Sequence, residues 1–311
     1  MTHPTPAEPA EPARGRMALW RDAQSFSRLV KLSHTVFGLP FALAATALAH
    51  RFAVAHGGVG LTWPRLGLVV LAFAAARAAA MGWNRIADRR FDALNPRTAD
   101  RELPAGVISL RAAVLFTVVS AAVFVASAVA LGPVPAWLTG PCLVVVLGYS
   151  LFKRFSWTSH LFLGLALSLA PGGAFVAITG GWGGWWLPLP LMLAVATWVA
   201  GFDVLYALAD ADFDRAHGLH SIPARFGIRG ALVVSALLHV ATVAALVVLH
   251  RVAGLGVAHM GGVALVAAIL VYEHWIVRPD DLRRLDRAFF DLNGYVSLGY
   301  LAAILLDVLA S

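Results

Sequence analysis

Charged residues and cysteine are both scarce in this sequence. Asp, Glu, Lys and Arg make up 13% of its 311 residues, about half of their share in soluble domains, and this excludes an ordinary water-soluble globule. The single cysteine, Cys142, excludes a disulfide framework within the chain and is interpreted as a small buried side chain. With 59% hydrophobic residues, many in long runs, the sequence indicates a polytopic membrane protein.

Acidic residues are fewer than basic ones. The chain has 24 Lys and Arg against 17 Asp and Glu, which gives a formal net charge of +7. In a soluble protein this excess would favour a nucleic-acid partner, but here the arginines cluster between hydrophobic segments. Membrane topology and anionic lipid head groups explain that clustering. We therefore expect the lipid bilayer as a partner and no nucleic acid.

Nine apolar runs are each near the ~20 residues that cross the ~30 Å hydrocarbon core of a bilayer. They predict an all-α fold of about nine transmembrane helices, at about 34–52, 64–86, 109–131, 135–153, 159–179, 186–208, 230–250, 257–277 and 288–308. Residues 1–16, rich in Pro, Ala and Glu, predict a disordered tail. The remainder, 17–311, is expected to form one transmembrane domain that opens with an interfacial amphipathic helix at about 18–32.

The loops between these runs alternate in charge. Arginine and lysine collect before the first span and after the second, fourth, sixth and eighth spans, while the other loops carry few. By the positive-inside rule, this pattern predicts that the N-terminal tail lies in the cytoplasm. The ends of the second and sixth spans are then expected at the cytoplasmic face as well.

The end of the second span, NRIADRRFDALNPRTADRELPAG, carries the first candidate site. Asn84, Asp88 and Asp92 are spaced at i, i+4 and i+8, so that a helix places them on one face. Two carboxylates one turn apart repel each other unless a cation lies between them. Downstream, Arg97 and Arg101 suit phosphate oxygens. The stretch predicts a divalent metal that holds a polyanion; the alternative is a solvated, charged loop.

A second stretch, at the end of the sixth span, repeats the pattern. Its helical face consists of Asp203, Tyr206, Asp210 and Asp214. The last two acids repeat Asp88 and Asp92 at the same offset, and basic residues that include Arg225 follow. Solvated loops have no reason to repeat acids four residues apart after a membrane span, so the repeat favours the metal site.

Other residues near the spans need a physical reason. A charge at the depth of Arg77 costs about 2.5–3.5 kcal/mol on insertion scales, so it should face a polar cavity and hold substrate or a carboxylate, or else pair structurally. Lys153 and Arg154 end the fourth span and either bind pyrophosphate or anchor the helix. Trp182 and Trp185 are interpreted as part of an aromatic belt at the outer interface.

The two acidic stretches resemble the motifs of the UbiA superfamily of intramembrane prenyltransferases. Asn84, Asp88 and Asp92 match N-D-x-x-D-x-x-x-D, except that Arg85 stands where an Asp, and a potential metal contact, is common. The pattern R-T-A-x-R-x-L-P-x-G is matched at 97–106, and D-x-x-Y-x-x-x-D-x-x-x-D is matched in full by the second face. The resemblance covers nearly the whole chain.

This resemblance implies two four-helix halves, about 18–155 and 156–278, and a ninth helix at about 288–308, around one central cavity. It implies transfer of a polyprenyl group from polyprenyl diphosphate to a small aromatic acid, with Mg²⁺ or Mn²⁺ as cofactor. The expected catalytic acids are Asp88, Asp92, Asp210 and Asp214, which together with Asn84 would bind the metal. The expected substrate-binding residues are Arg77, Asn84, Arg97, Arg101, Lys153, Arg154, Asp203 and Tyr206.

The acceptor and the class of activity each have an alternative. HTVFGLPFAL and GLHSIPARFG are similar to the bacterial 4-hydroxybenzoate polyprenyltransferase-like branch, which implies ubiquinone synthesis at a bacterial inner membrane; a naphthoate acceptor in menaquinone synthesis is the alternative. From another class, a cation transporter would also use intramembrane acids, but the neighbouring arginines would repel cations. A third interpretation, a structural protein with degenerate motifs, does not explain acids at metal-binding spacing.

Overall fold

The structure, a computed structural model, describes residues 35–285 and 288–310. Within those ranges it is almost entirely helical and contains no strand. The predicted tail at 1–16 and the predicted interfacial helix at about 18–32 lie outside the described residues. The fold is therefore built from the packing of the membrane helices that follow them.

Ten α-helices make up the described part of the chain. They are α1 Thr35–Ala55, α2 Trp63–Leu94, α3 Leu110–Leu131, α4 Pro133–Phe152, α5 Ser159–Thr179, α6 Leu189–Tyr206, α7 Ala211–Ala216, α8 Ile222–Val252, α9 Val257–Ile276 and α10 Asn293–Ala310. A 3-10 turn, Ala207–Asp210, joins α6 to α7. In the described ranges, nine helical stretches are long and apolar enough to cross a membrane, one of which runs through α6 and α7. The predicted all-α membrane fold is confirmed.

Local sequence sets where several helices begin. The Ala112 N–H donates to the hydroxyl of Ser109 at 3.2 Å, and the Ala224 N–H donates to that of Ser221 at 3.2 Å. Such N-caps satisfy backbone donors that have no partner within the helix. Pro223 sits in the first turn of α8, where its missing N–H is tolerated. The starts of α3 and α8 therefore follow from two serines just upstream of apolar runs.

Two helices extend well beyond the predicted spans. Helix α2 has 32 residues and reaches Leu94 instead of ending near 86. Helix α8 has 31 residues and begins at Ile222 instead of near 230, with a kink at Gly227, whose φ of 72° glycine adopts readily. Hydropathy marks only the apolar part of a helix, while the helix itself continues past the membrane core. The extension of α2 keeps Asp88 and Asp92 on a regular helix.

The hydrophobic core lies where α1, α5, α6 and α10 meet. The ring of Phe41 lies 5.0 Å from that of Trp198 and 5.5 Å from that of Tyr300, and all three side chains are buried. Such aromatic clusters contribute large apolar area and fix the relative positions of helices. Helices α2, α3 and α4 pack as a second group against α5. The division into halves at 18–155 and 156–278 stays a prediction.

Candidate active site

A cavity of about 700 Å³ lies between α2 and α4 on one side and α1, α5 and α6 on the other. Its lining residues fall between Phe37 and Leu219, so α8, α9 and α10 pack behind it. Much of its length is lined by apolar side chains such as Phe73, Leu138 and Leu167. The end where α2, α4 and α6 terminate is charged, and we call it the polar end. Its charged lining residues are Asp88, Asp92, Asp203, Asp210, Asp214, Arg85, Arg97, Arg101, Lys153 and Arg154, while Arg77 lines the cavity deeper along α2.

Helix α2 presents the first acidic face to the polar end, as its spacing predicted. The amide of Asn84 donates to Asp88 Oδ2 at 2.9 Å. Arg101 donates to Asp92 Oδ1 at 2.6 Å, and the hydroxyl of Thr98 donates to the Asp92 backbone carbonyl at 3.0 Å. The other carboxylate oxygen of Asp92, Oδ2, is buried without a hydrogen-bond partner. A chain reversal just after α2 thus brings a basic residue back onto its acidic face.

The second acidic face lies across the cavity from the first. Asp203 and Tyr206 lie on α6, Asp210 ends the 3-10 turn, and Asp214 lies on α7; all four line the cavity. The tighter 3-10 turn interrupts the α-helix between Tyr206 and Asp210. The face predicted from helical spacing therefore survives a break in the helix.

Arg97 connects the two acidic stretches. From the loop after α2 it reaches across to hold the Asp210 carboxylate with two nitrogens, and it donates to the Tyr206 hydroxyl at 2.8 Å. Asn95 donates to the same carboxylate at 3.1 Å. Partial desolvation lowers the pKa of the Arg97 guanidinium, but the hydrogen bonds and charge of Asp210 outweigh it and leave that pKa above its ordinary value. Arg97 is therefore a permanent positive charge at the polar end.

The end of α4 connects the same stretches a second time. Lys153 Nζ lies 2.8 Å from Asp214 Oδ1, and the guanidinium of Arg154 lies 3.5 Å from Asp88 Oδ1. Arg154 also donates to the backbone carbonyl of Ala87 at 2.7 Å. Two consecutive residues thus contact one acid from each stretch, which shows that the stretches converge at one place.

His160 is a site residue that the sequence analysis missed. It lies at the start of α5, is buried and lines the cavity, and its Nδ1 is 2.6 Å from Asp203 Oδ2. The backbone N–H of Ile222 points at its Nε2 at 3.4 Å, which assigns the ring proton to Nδ1 as the donor to Asp203. No spacing rule relates residues 160 and 203, so this pair depends on the packing of α5 against α6.

Arg77 and Arg85 both line the cavity, and their Nε atoms are buried without hydrogen-bond partners. Arg77 thus faces the cavity, and its role there stays a prediction. Arg85, which stands where the UbiA motif commonly has an aspartate, adds a positive charge to the site. By contrast, Arg225 lies over the rings of Trp157 and Phe226, at 5.5 Å from each centroid, and is not among the lining residues. It makes no contribution to the polar end.

The carboxylates of the polar end suit a hard divalent cation. In the described ranges no three His, Cys, Asp or Glu side chains are arranged as a ready metal cluster. Arg97, Arg101, Lys153 and Arg154 each contact an acid there. However, Oδ2 atoms of two buried acids, Asp92 and Asp214, have no hydrogen-bond partner. Buried carboxylate oxygens without partners are unfavourable unless a cation or a proton compensates them. The donor set therefore fits Mg²⁺, which prefers oxygen ligands.

Spanning helices around an apolar cavity with one charged end define the class: an integral membrane protein with a buried site at one end of its helices. The chain matches the model of the UbiA prenyltransferase family over residues 39–295. It belongs to this family. The predicted family, and with it the prediction of a membrane prenyltransferase, is confirmed.

Individual relatives agree with this assignment. The chain is similar to a 4-hydroxybenzoate octaprenyltransferase of Vibrio parahaemolyticus, with 31% identity over 243 residues that cover 76% of this chain and 82% of that protein. The apo structure of a UbiA homolog from Aeropyrum pernix K1 has 35% identity and a TM-score of 0.79, and covers 88% of this chain and 98% of that one. A UbiA homolog from Archaeoglobus fulgidus bound to GPP and Mg²⁺ shares the fold, with 20% identity, a TM-score of 0.68 and coverage of 92% of this chain and 100% of that one.

Proposed function

We propose that this protein transfers a polyprenyl group from polyprenyl diphosphate to 4-hydroxybenzoate, with Mg²⁺ or Mn²⁺, in ubiquinone biosynthesis. One observation carries the proposal: five aspartates and five basic residues meet at one end of a largely apolar cavity between membrane helices. An apolar cavity suits a prenyl chain, and a charged end suits a diphosphate with its cation. The name of the Vibrio parahaemolyticus relative points to the same donor and acceptor classes.

The ion pairs at the polar end suggest how the site accepts both a divalent cation and a diphosphate. Each basic residue of the loop after α2 and of the end of α4 now contacts an aspartate. Once a divalent cation neutralises the aspartates, the same guanidinium and ammonium groups are free to bind phosphate oxygens. Arginine forms bidentate contacts with phosphate and lysine contributes a compact charge. Because acidic and basic side chains are present in similar number, the site can bind a metal ion and a polyanion at the same time.

Roles for individual side chains follow from these contacts. Asn84, Asp88, Asp92, Asp210 and Asp214 would hold the metal, which when bound supplies positive charge to the departing diphosphate. Arg97, Arg101, Lys153 and Arg154 would bind the diphosphate oxygens, and Tyr206 and Asp203 complete the polar wall. In the reaction the bond between prenyl C1 and oxygen breaks with its electrons leaving on the diphosphate, an aromatic carbon bonds to C1, and a ring proton is released. The apolar walls exclude water that would otherwise capture the prenyl cation.

Arg77 is proposed to bind the carboxylate of the acceptor. It lies two turns before Asn84 on the same helix, lines the cavity, and has no ion-pair partner among the described residues. A buried guanidinium without a carboxylate is unfavourable, and a small aromatic acid would supply one. The cation-transport alternative is disfavoured because five basic residues line the polar end of the cavity and Arg77 lies deeper in the same cavity.

The placement in the cell is likewise a proposal. The basic loops at the ends of α2, α4 and α6 support a cytoplasmic position for the polar end under the positive-inside rule. The relative named above is bacterial, which favours the inner membrane. Both substrates would then reach the site from the cytoplasmic side of the bilayer.

The experiment is an acceptor panel with purified protein in detergent. Labelled octaprenyl diphosphate and Mg²⁺ are offered with 4-hydroxybenzoate or with dihydroxynaphthoates in parallel, and Asp210→Ala serves as the inactive control. We expect a prenylated product from 4-hydroxybenzoate alone. Product from a naphthoate instead would show that the acceptor is a naphthoate, as in menaquinone synthesis. The absence of product from any acceptor would contradict the proposed function.

A further inference from the structure

We propose that Gly173, far from the aspartates of the polar end, keeps the cavity open for a long prenyl chain and so determines the donor length that the protein accepts. This inference rests on the proposed function and adds a residue that discriminates between donors. Gly173, on α5, is an exposed residue and is one of those that line the cavity. A Cβ atom built at this position meets no other atom within 4 Å. The absent side chain therefore leaves open space in the cavity.

The preceding glycine serves a different purpose. A Cβ atom on Gly172 would lie 2.6 Å from the sulfur of Met192, so this glycine permits close packing of α5 on α6. Of the two adjacent glycines, Gly172 is therefore needed for helix packing, whereas Gly173 leaves space in the cavity. Only Gly173 has room for a larger side chain, and that room belongs to the cavity.

The depth of Gly173 in the cavity allows it to discriminate between short and long prenyl chains. His160, which contacts Asp203 at the polar end, and Gly173 are thirteen residues apart on α5, or about 20 Å at 1.5 Å per residue. With carbon–carbon bonds of about 1.5 Å, the eight main-chain carbons of a geranyl group extend at most about 12 Å. A geranyl chain with its diphosphate at the aspartates therefore ends before Gly173, whereas an octaprenyl chain is long enough to extend past it.

Beyond Gly173 the cavity continues to its far end. Ala177, Trp182 and Trp185 line that end, and both tryptophans are more than half exposed. The far end is thus not sealed by these rings, and the tail of a long chain has a way out of the cavity. Gly173 lies between the polar end and this opening, at a level where a bulky side chain would act as a stop.

The test compares two donors in three proteins. Wild type, Gly173→Leu and Gly140→Leu are assayed with Mg²⁺, 4-hydroxybenzoate and either geranyl or octaprenyl diphosphate, and kcat/KM is measured for each. Gly140 is the matched control because a Cβ there also meets nothing within 4 Å, but it lies on α4 outside the cavity lining. We expect Gly173→Leu to lose at least ~10-fold with octaprenyl diphosphate and to stay within about twofold with geranyl diphosphate. Gly140→Leu should match wild type with both.

The geranyl reaction also reports whether the variant is folded. If Gly173→Leu loses both activities, the smaller Gly173→Ala and Gly173→Val are measured, and a graded fall of the octaprenyl-to-geranyl ratio with side-chain size supports the inference. An unchanged ratio in an active series overturns the role of Gly173 and leaves the proposed function intact. A wild-type protein that is inactive with both donors overturns the proposed function itself, and the role of Gly173 with it.

Discussion

Lys153 and Asp214 form an ion pair at the polar end of the cavity, with 2.8 Å between Nζ and Oδ1. The Asp214 side chain has no exposed surface, whereas that of Lys153 is one-third exposed. The ammonium group is therefore the cation that compensates a fully buried carboxylate. Because the next residue, Arg154, contacts Asp88, the end of α4 fastens the two acidic stretches to one another.

The first prediction concerns this pair. Lys153→Met should lower stability by roughly 1–3 kcal/mol, the usual range for a buried polar group left without its partner. The double variant Lys153→Met/Asp214→Asn should regain most of that stability, since the buried charge is removed as well, but it should remain inactive. Thermal unfolding in detergent, followed by a turnover assay, separates the two effects. A single variant as stable as wild type would show that the ion pair contributes nothing.

The second prediction uses two neighbouring aspartates. Asp210 lines the cavity and is held by Arg97, whereas the side chain of Asp212 is 97% exposed and pairs with Arg215 on the surface of α7. Asp210→Ala should reduce turnover at least ~100-fold, as expected when an electrostatic stabiliser is removed. Asp212→Ala should stay within about twofold, because exposed ion pairs contribute little. Equal effects of the two substitutions would favour the alternative interpretation, in which the second stretch is a solvated, charged loop.

Asp88→Ala tests the first stretch in the same way. We expect a loss of turnover of at least ~100-fold while the protein still inserts and folds, because this partly exposed carboxylate contacts Asn84 and Arg154 but is no part of the hydrophobic core. Gel filtration and thermal unfolding serve as the folding control. A near-normal rate in a folded Asp88→Ala protein would remove Asp88 from the proposed metal site.

The periodic acids were predictable because a helix converts sequence spacing into a shared face. Asp88 and Asp92 lie on an unbroken helix, and the second face is kept across a 3-10 turn. The apolar runs likewise predicted nine spans, since hydropathy reports the length of chain inside a bilayer. These features depend on residues close in sequence, for which one chain supplies enough information.

Partners across the cavity could not be predicted in this way. His160 and Asp203 are 43 residues apart, and only the packing of α5 on α6 brings them together. Trp182 and Trp185 were assigned to an interfacial belt from their depth, yet they also line the far end of the cavity. Hydropathy predicts how deep in the membrane a residue lies, but it does not predict whether its side chain faces the cavity or the lipid.

The fourth prediction is metal dependence. Chelation with EDTA should abolish prenyl transfer, and Mg²⁺ or Mn²⁺ should restore it, because four aspartates in two i, i+4 pairs would otherwise face the diphosphate. Thermal stability should change little with chelation, since Arg97, Arg101, Lys153 and Arg154 already pair with these acids. Full transfer in EDTA, with no effect of added metal, would contradict the metal assignment while leaving the fold untouched.

The last prediction concerns Arg101, which donates to Asp92 at 2.6 Å and lines the polar end. If it binds the diphosphate, Arg101→Ala should weaken binding of a non-hydrolysable prenyl diphosphate analogue roughly ten- to a hundredfold, the equivalent of one charge-assisted contact. The KM for the aromatic acceptor should change little. Arg101→Lys should recover only part of the affinity, because the planar guanidinium fork is lost.

Calorimetry with the analogue and Mg²⁺ measures this effect on wild type, Arg101→Ala, Arg101→Lys and Arg90→Ala. Arg90 is the matched control, since it is an exposed arginine near the end of α2, the helix before Arg101, and does not line the cavity. Equal affinity of wild type and Arg101→Ala would remove Arg101 from the diphosphate site. Absence of binding to all four proteins would contradict the proposed diphosphate site as a whole.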